Sequence, residues 1–74
     1  MALSEATIIA DIAEAVGAAP GGVDKNAPLE DQGLDSLGIV DLAEKWRSEG
    51  EEVDYFDLVA LPTAQQWIER LAGE

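Results

Sequence analysis

Apolar residues recur along most of this chain at the three- and four-residue spacing of helices. Ile8, Ile9, Ile12, Ala13 and Val16 form one stripe, with Thr7, Asp11 and Glu14 on the opposite side. The pattern predicts a first helix over residues 4–16, with Ser4 as its cap, Glu5 at the positive end of its dipole and Gly17 as its stop. A second helix is predicted from Ser36 to Ser48 or Glu49, ending at Gly50, with Ile39, Leu42, Ala43 and Trp46 facing the core. The other face of that helix carries Leu37, Val40, Asp41, Glu44 and Ser48, so two aliphatic residues stand among acids directly after Ser36. "DYFDL" reads as one short helical turn capped by Asp54, too rich in apolar residues for a plain linker. In the last segment Ala64, Trp67, Ile68 and Leu71 are spaced i, i+3, i+4, i+7. Thr63 and Gln66 form a capping-box pattern before them, and Gly73 is the expected end.

Residues 18–35 break the periodicity. Pro20, Gly21, Gly22, Pro28 and Gly33 exclude a long regular element, while Val23, Leu29 and Leu34 offer apolar pins to the core. A loop of this length in so short a chain is uncommon, and such loops are often functional. No segment alternates as a strand would. The expected fold is all-α: a small four-helix bundle of three main helices plus a short third one, with a long loop between the first two. Residues 1–74 are long enough for one domain only, and a chain of this size buries about 60% of the surface that its unfolded form exposes.

Charge and composition narrow the chemistry. Sixteen acids against four bases give a net charge of −12, which repels nucleic-acid phosphates and anionic membranes and favours basic protein partners. The chain has neither cysteine nor histidine, which removes disulfides, thiolate chemistry and the usual zinc ligands. It contains no apolar run long enough to span a membrane, and its N-terminus lacks the basic start of a signal peptide, so a cytoplasmic location is expected. "DKNAPLEDQGLD" departs from a calcium loop: Pro28 holds the fifth position, Leu29 the sixth, where glycine belongs, and Asp35 the twelfth. No phosphate-binding glycine loop or dinucleotide fingerprint is present. Ser36 sits in "GLDSL" at the predicted loop–helix junction with no histidine to activate it. An active site of the chain's own making is not expected. On residue type alone, Ser36 also suits a helix N-cap.

"GLDSL" in this setting resembles the attachment motif of the phosphopantetheine carrier family, which includes acyl, peptidyl and aryl carrier proteins. The likeness spans nearly the whole chain. "LEDQGLDSL", "EKWRSEG", "VDYFDLVALPT" and "QQWIERL" look most like stand-alone aryl or peptidyl carriers. Trp46-Arg47, Pro62-Thr63 and Trp67 are the distinguishing points, although the chain is more acidic than most peptidyl carriers. The resemblance implies a non-catalytic carrier whose Ser36 receives 4′-phosphopantetheine from coenzyme A through a separate phosphopantetheinyl transferase. Asp35 would help to meet that enzyme and its metal. An activating ligase (adenylation enzyme) would then load an acyl, aryl or aminoacyl group as a thioester for condensing or tailoring enzymes. Leu37, Val40, Asp41, Glu44 and Phe56 form the expected docking set, on a protein acting as a monomer. A fatty-acid or polyketide acyl carrier is the alternative within the class. An unmodified acidic helical adaptor is the alternative outside it.

Overall fold

A computed structural model describes residues 3–72. Its helices are α1 (Glu5–Val16), α2 (Ser36–Ser48), α3 (Tyr55–Ala60) and α4 (Ala64–Leu71). The described residues form no strand; one isolated bridge pairs Pro28 with Thr63. Side-chain caps set the starts. The Ser4 hydroxyl accepts from the Thr7 amide at 3.1 Å, Asp54 from Phe56 at 2.8 Å, and Thr63 from Gln66 at 3.3 Å. Gly17 ends α1 in the left-handed region, at φ 73°. Gly50, with φ 92°, turns the chain after α2. The last helix stops at Leu71 with Ala72 as its C-cap; the expected stop at Gly73 lies outside the described residues.

The four apolar stripes meet in one core. Ile8, Ile12 and Ala13 come from α1, Leu42, Ala43 and Trp46 from α2, Leu58 from α3, and Ala64, Trp67 and Ile68 from α4. Trp46 and Trp67 form its centre, edge to face with ring centroids 6.1 Å apart. A buried indole N–H needs an acceptor, since leaving it unpaired costs about 1–3 kcal/mol. Trp67 Nε1 donates to the carbonyls of Leu61 at 2.8 Å and Leu58 at 3.1 Å. Trp46 Nε1 donates to Asp11 Oδ2 at 2.7 Å, and the other oxygen of that carboxylate accepts from Lys45 Nζ at 3.0 Å. Asp11 is therefore not the free surface acid that the helical pattern expects. It braces α1 against α2, and its side chain keeps only 11% of its exposure.

The long loop is fixed rather than slack. Leu29 and Leu34 are buried and Val23 is half-buried. Two short 3-10 turns, Pro20–Gly22 and Leu29–Gln32, break it up. The Gln32 amide stitches it internally, accepting from the Asp24 N–H and donating to the Asp24 and Ala27 carbonyls at 2.8–3.1 Å. Two backbone bonds tie it to the α3–α4 junction: Leu29 N to the Pro62 carbonyl at 2.8 Å, and Gln65 N to the Lys25 carbonyl at 2.9 Å. Gly33 adopts φ 101°, strained for any side chain, and swings the chain through Leu34 and Asp35 into α2.

Candidate functional site

The start of α2 is built by three residues. Asp35 is extended (φ −94°, ψ −178°), and its carboxylate accepts from the Gly38 amide at 2.9 Å. Asp35 is thus the N-cap, which corrects the reading of Ser36 as a possible cap. Ser36 is the first helical residue. Its side chain is exposed, and among the described residues its hydroxyl has no hydrogen-bond partner. Beneath this turn Leu34 is folded into the core. A Cβ on Gly38 would come within 2.7 Å of the Leu34 Cδ1, so glycine there lets the buried leucine pass under the exposed serine. Sequence reasoning missed Gly38, because the demand comes from a close approach rather than from an unusual backbone angle.

An anion is well served at this point. The Asp35 side chain takes the Gly38 amide and the Asp35 carbonyl takes that of Ile39 at 3.0 Å. Among the described residues the amides of Ser36 and Leu37 have no acceptor. Two free N–H groups at the positive end of a helix suit a phosphate oxygen. Among the described residues no side chain accepts a hydrogen bond from the serine: the chain has no histidine, and the lysines are engaged, Lys25 with Glu5 at 2.9 Å and Lys45 with Asp11. The hydrogen bond to Asp11, then its charge, hold the Lys45 ammonium above its ordinary pKa.

Exposed large apolar side chains stand on α2 and α3, which pack against each other, with exposed acids beside them on α2. Leu37 and Phe56 are each 74% exposed and Val59 43%. Asp41 and Glu44 are exposed, and Val40 is half-buried. Neither Asp41 nor Glu44 forms an ion pair among the described residues. Val59 was not among the expected docking residues; its signal in the sequence is its i+3 spacing from Phe56, which places both on one side of α3. Where the loop meets α2 and α3, Leu34, Ile39, Leu58 and Val59 help to line an apolar recess of about 100 Å³. No helix of the described residues is long and apolar enough to cross a membrane.

Comparison with known proteins agrees with this layout. Residues 6–71 match the family model described as "Phosphopantetheine attachment site". The chain is 37% identical over 71 residues, 96% of its length, to the phenyloxazoline synthase MbtB of a Mycobacterium species, and 41% identical over 56 residues, 76% of its length, to an isochorismatase of Bacillus subtilis. It covers only 6% and 18% of those two proteins. It is 38% identical over 64 residues, 86% of its length, to the acyl carrier protein ScoB of Streptomyces coeruleorubidus, of which it covers 75%. No solved structure matches it significantly. A serine presented at a helix start, in an all-α bundle matched from the first helix to the last, has one family to belong to: the chain is a member of the phosphopantetheine-dependent carrier proteins, whose covalent cofactor is 4′-phosphopantetheine.

Proposed function

We propose that Ser36 is the attachment residue and that the protein carries an aryl or aminoacyl group as a thioester between biosynthetic enzymes. The carrying observation is the Ser36 hydroxyl, exposed and unpartnered at the first position of α2 beside two free amides. Bound there, the cofactor supplies a thiol on a flexible arm. The chain's own residues do the rest. Asp35 holds the helix start in place, the Ser36 and Leu37 amides face the phosphodiester, and Leu37, Val40 and Phe56 offer contact area to enzymes. Tethering raises the effective concentration of the cargo at each partner, so docking itself can stay weak and reversible.

The names of the phenyloxazoline synthase and the isochorismatase favour the aryl and peptidyl branch. The match to an acyl carrier protein favours an acyl cargo as the second reading. Residues 1–74 are taken as one domain acting as a monomer in the cytoplasm. Its partners are a phosphopantetheinyl transferase, an activating ligase and downstream condensing or tailoring enzymes.

The test is direct. The protein is incubated with coenzyme A, magnesium and a broad-specificity phosphopantetheinyl transferase, and its intact mass is measured. The mass rises by one phosphopantetheine group, and peptide mapping places the gain at Ser36. An unmodified adaptor would keep its original mass, and loading trials with aryl, aminoacyl and fatty acyl groups then separate the cargo classes.

The exposed acids of α2 make a second expectation. Asp41→Lys with Glu44→Lys lowers kcat/KM for the transferase, and added salt narrows the gap, because exposed charges are screened within about 8 Å at physiological ionic strength. The control is Glu49→Lys with Glu69→Lys, which changes net charge equally. Both residues are exposed, and Glu49 lies past the far end of α2, about 20 Å from Ser36 at 1.5 Å per residue. Asp11 cannot serve as a control site because its carboxylate holds Trp46. Equal losses from both pairs would show that overall charge alone matters.

A further inference from the structure

The six-residue α3 carries Phe56 and Val59, yet it is too short to be stable by itself. Its hydrophobic hold on the core is one fully buried side chain, Leu58, with Tyr55 half-buried beside it. A helix end also leaves carbonyls without partners. At this helix end the Leu58 carbonyl accepts from the Leu61 amide at 3.2 Å, and α4 supplies a further donor. Trp67 Nε1 donates to Leu58 O at 3.1 Å, the last turn of α3, and to Leu61 O at 2.8 Å, the residue that caps it. One turn further along α4, Arg70 donates to Asp57 Oδ2 at 2.9 Å, but that pair is exposed to solvent and counts for little. The buried indole N–H is the stronger hold. It grips backbone, so it fixes the direction and rotation of α3 rather than one of its side chains.

We propose that the Trp67 N–H is a positioning group for partner docking: by holding the Leu58 and Leu61 carbonyls it sets where Phe56 and Val59 stand relative to Leu37 and Ser36. The proposal rests on the carrier reading above, in which this apolar surface meets the enzymes. Trp67 itself is fully buried and touches none of them. Its effect on recognition passes entirely through α3.

The experiment is a double-mutant cycle with wild type, Trp67→Phe, Phe56→Ser and the double variant. Each is converted by a broad-specificity phosphopantetheinyl transferase with coenzyme A, and kcat and KM are measured separately. Phe56→Ser raises KM. Trp67→Phe keeps an aromatic ring in the core, though a smaller one, and removes the donor. It raises KM about three- to tenfold at unchanged kcat, the effect of roughly one net hydrogen bond at tenfold per 1.4 kcal/mol. The double variant is worse than Phe56→Ser by clearly less than the factor that Trp67→Phe costs alone, because a misplaced α3 then has only Val59 left to misplace. Amide hydrogen exchange accelerates at residues 58–61 in Trp67→Phe while α1 keeps its protection.

An unchanged KM in Trp67→Phe, with Phe56→Ser impaired, overturns the positioning role and leaves the docking surface standing. Additive losses in the double variant, or faster exchange throughout the bundle, overturn it as well, since both mark a general loss of stability. No effect of Phe56→Ser removes the docking surface and the proposal with it. If Trp67→Phe fails to fold, the same cycle is run with Trp67 replaced by β-(3-benzothienyl)alanine, which keeps the bicyclic ring and lacks the N–H. Additivity there overturns the proposal, and loss of its effect in the Phe56→Ser background supports it.

Discussion

Ser36→Ala folds as wild type does and takes up no phosphopantetheine. The first half of that expectation follows from the division of labour at the start of α2. Asp35, not Ser36, satisfies the Gly38 amide, so no cap is lost. The serine side chain is exposed and makes no hydrogen bond among the described residues. Alanine has the higher helix propensity, and surface changes of this kind move stability by no more than about 0.5 kcal/mol. A urea titration followed by circular dichroism should give an unchanged midpoint. The second half rests on chemistry, because no neighbouring residue offers a hydroxyl in the same place. Modification of the alanine variant at any other residue would sink the assignment of Ser36.

Trp46→Ala has the largest effect on the fold. The side chain is fully buried and touches Trp67 edge to face. Truncation of a buried Trp to Ala costs about 3–5 kcal/mol. At about 0.05–0.15 kcal/mol per residue, a chain of this length has roughly 4–11 kcal/mol in all. The variant therefore sits at or near the edge of unfolding at room temperature. It also strips Asp11 of the indole donor that closes α1 against α2. Trp46→Phe retains most of the apolar area, loses that bond and leaves a small gap, so it should cost about 1–3 kcal/mol. A Trp46→Ala variant with an unchanged urea midpoint would mean that the core is not built around this pair of rings.

Much of this arrangement is legible in the sequence. Helical spacing alone places the buried faces of α1, α2 and α4, because each stripe is long enough for the 3.6-residue period to declare itself. Ser4, Asp54 and Thr63 can each be named as caps, since each is the one capping side chain at its boundary. The start of α2 is different. Asp35 and Ser36 are both good capping types in adjacent positions, and only the backbone angles decide which residue lies outside the helix. Asp11 shows a second limit. The periodicity of α1 assigns it to solvent, but the indole that reaches it comes from another helix, and its arrival depends on how α1 and α2 cross. The Gln32 stitches and the fit of Gly38 over Leu34 are likewise contacts between segments, with no period to betray them. The family resemblance reaches Ser36 because it reads the order of elements along the chain, which those contacts do not disturb.

The burial of both indoles has an optical consequence. Trp46 and Trp67 are each fully enclosed, and each N–H is already bonded inside the protein. Trp67 does line the recess where the loop meets α2 and α3, so only a group attached at Ser36 that stays outside that recess, or an enzyme seated on Phe56, leaves both chromophores in unchanged surroundings. Intrinsic fluorescence should be blue-shifted, should redden when the bundle opens, and should stay constant while cargo remains outside the recess. Interfaces of this kind usually form with little backbone movement. A shift in emission upon docking would then carry a distinct message: the enzyme is not reading a finished surface but rearranging the rings at the centre of its carrier.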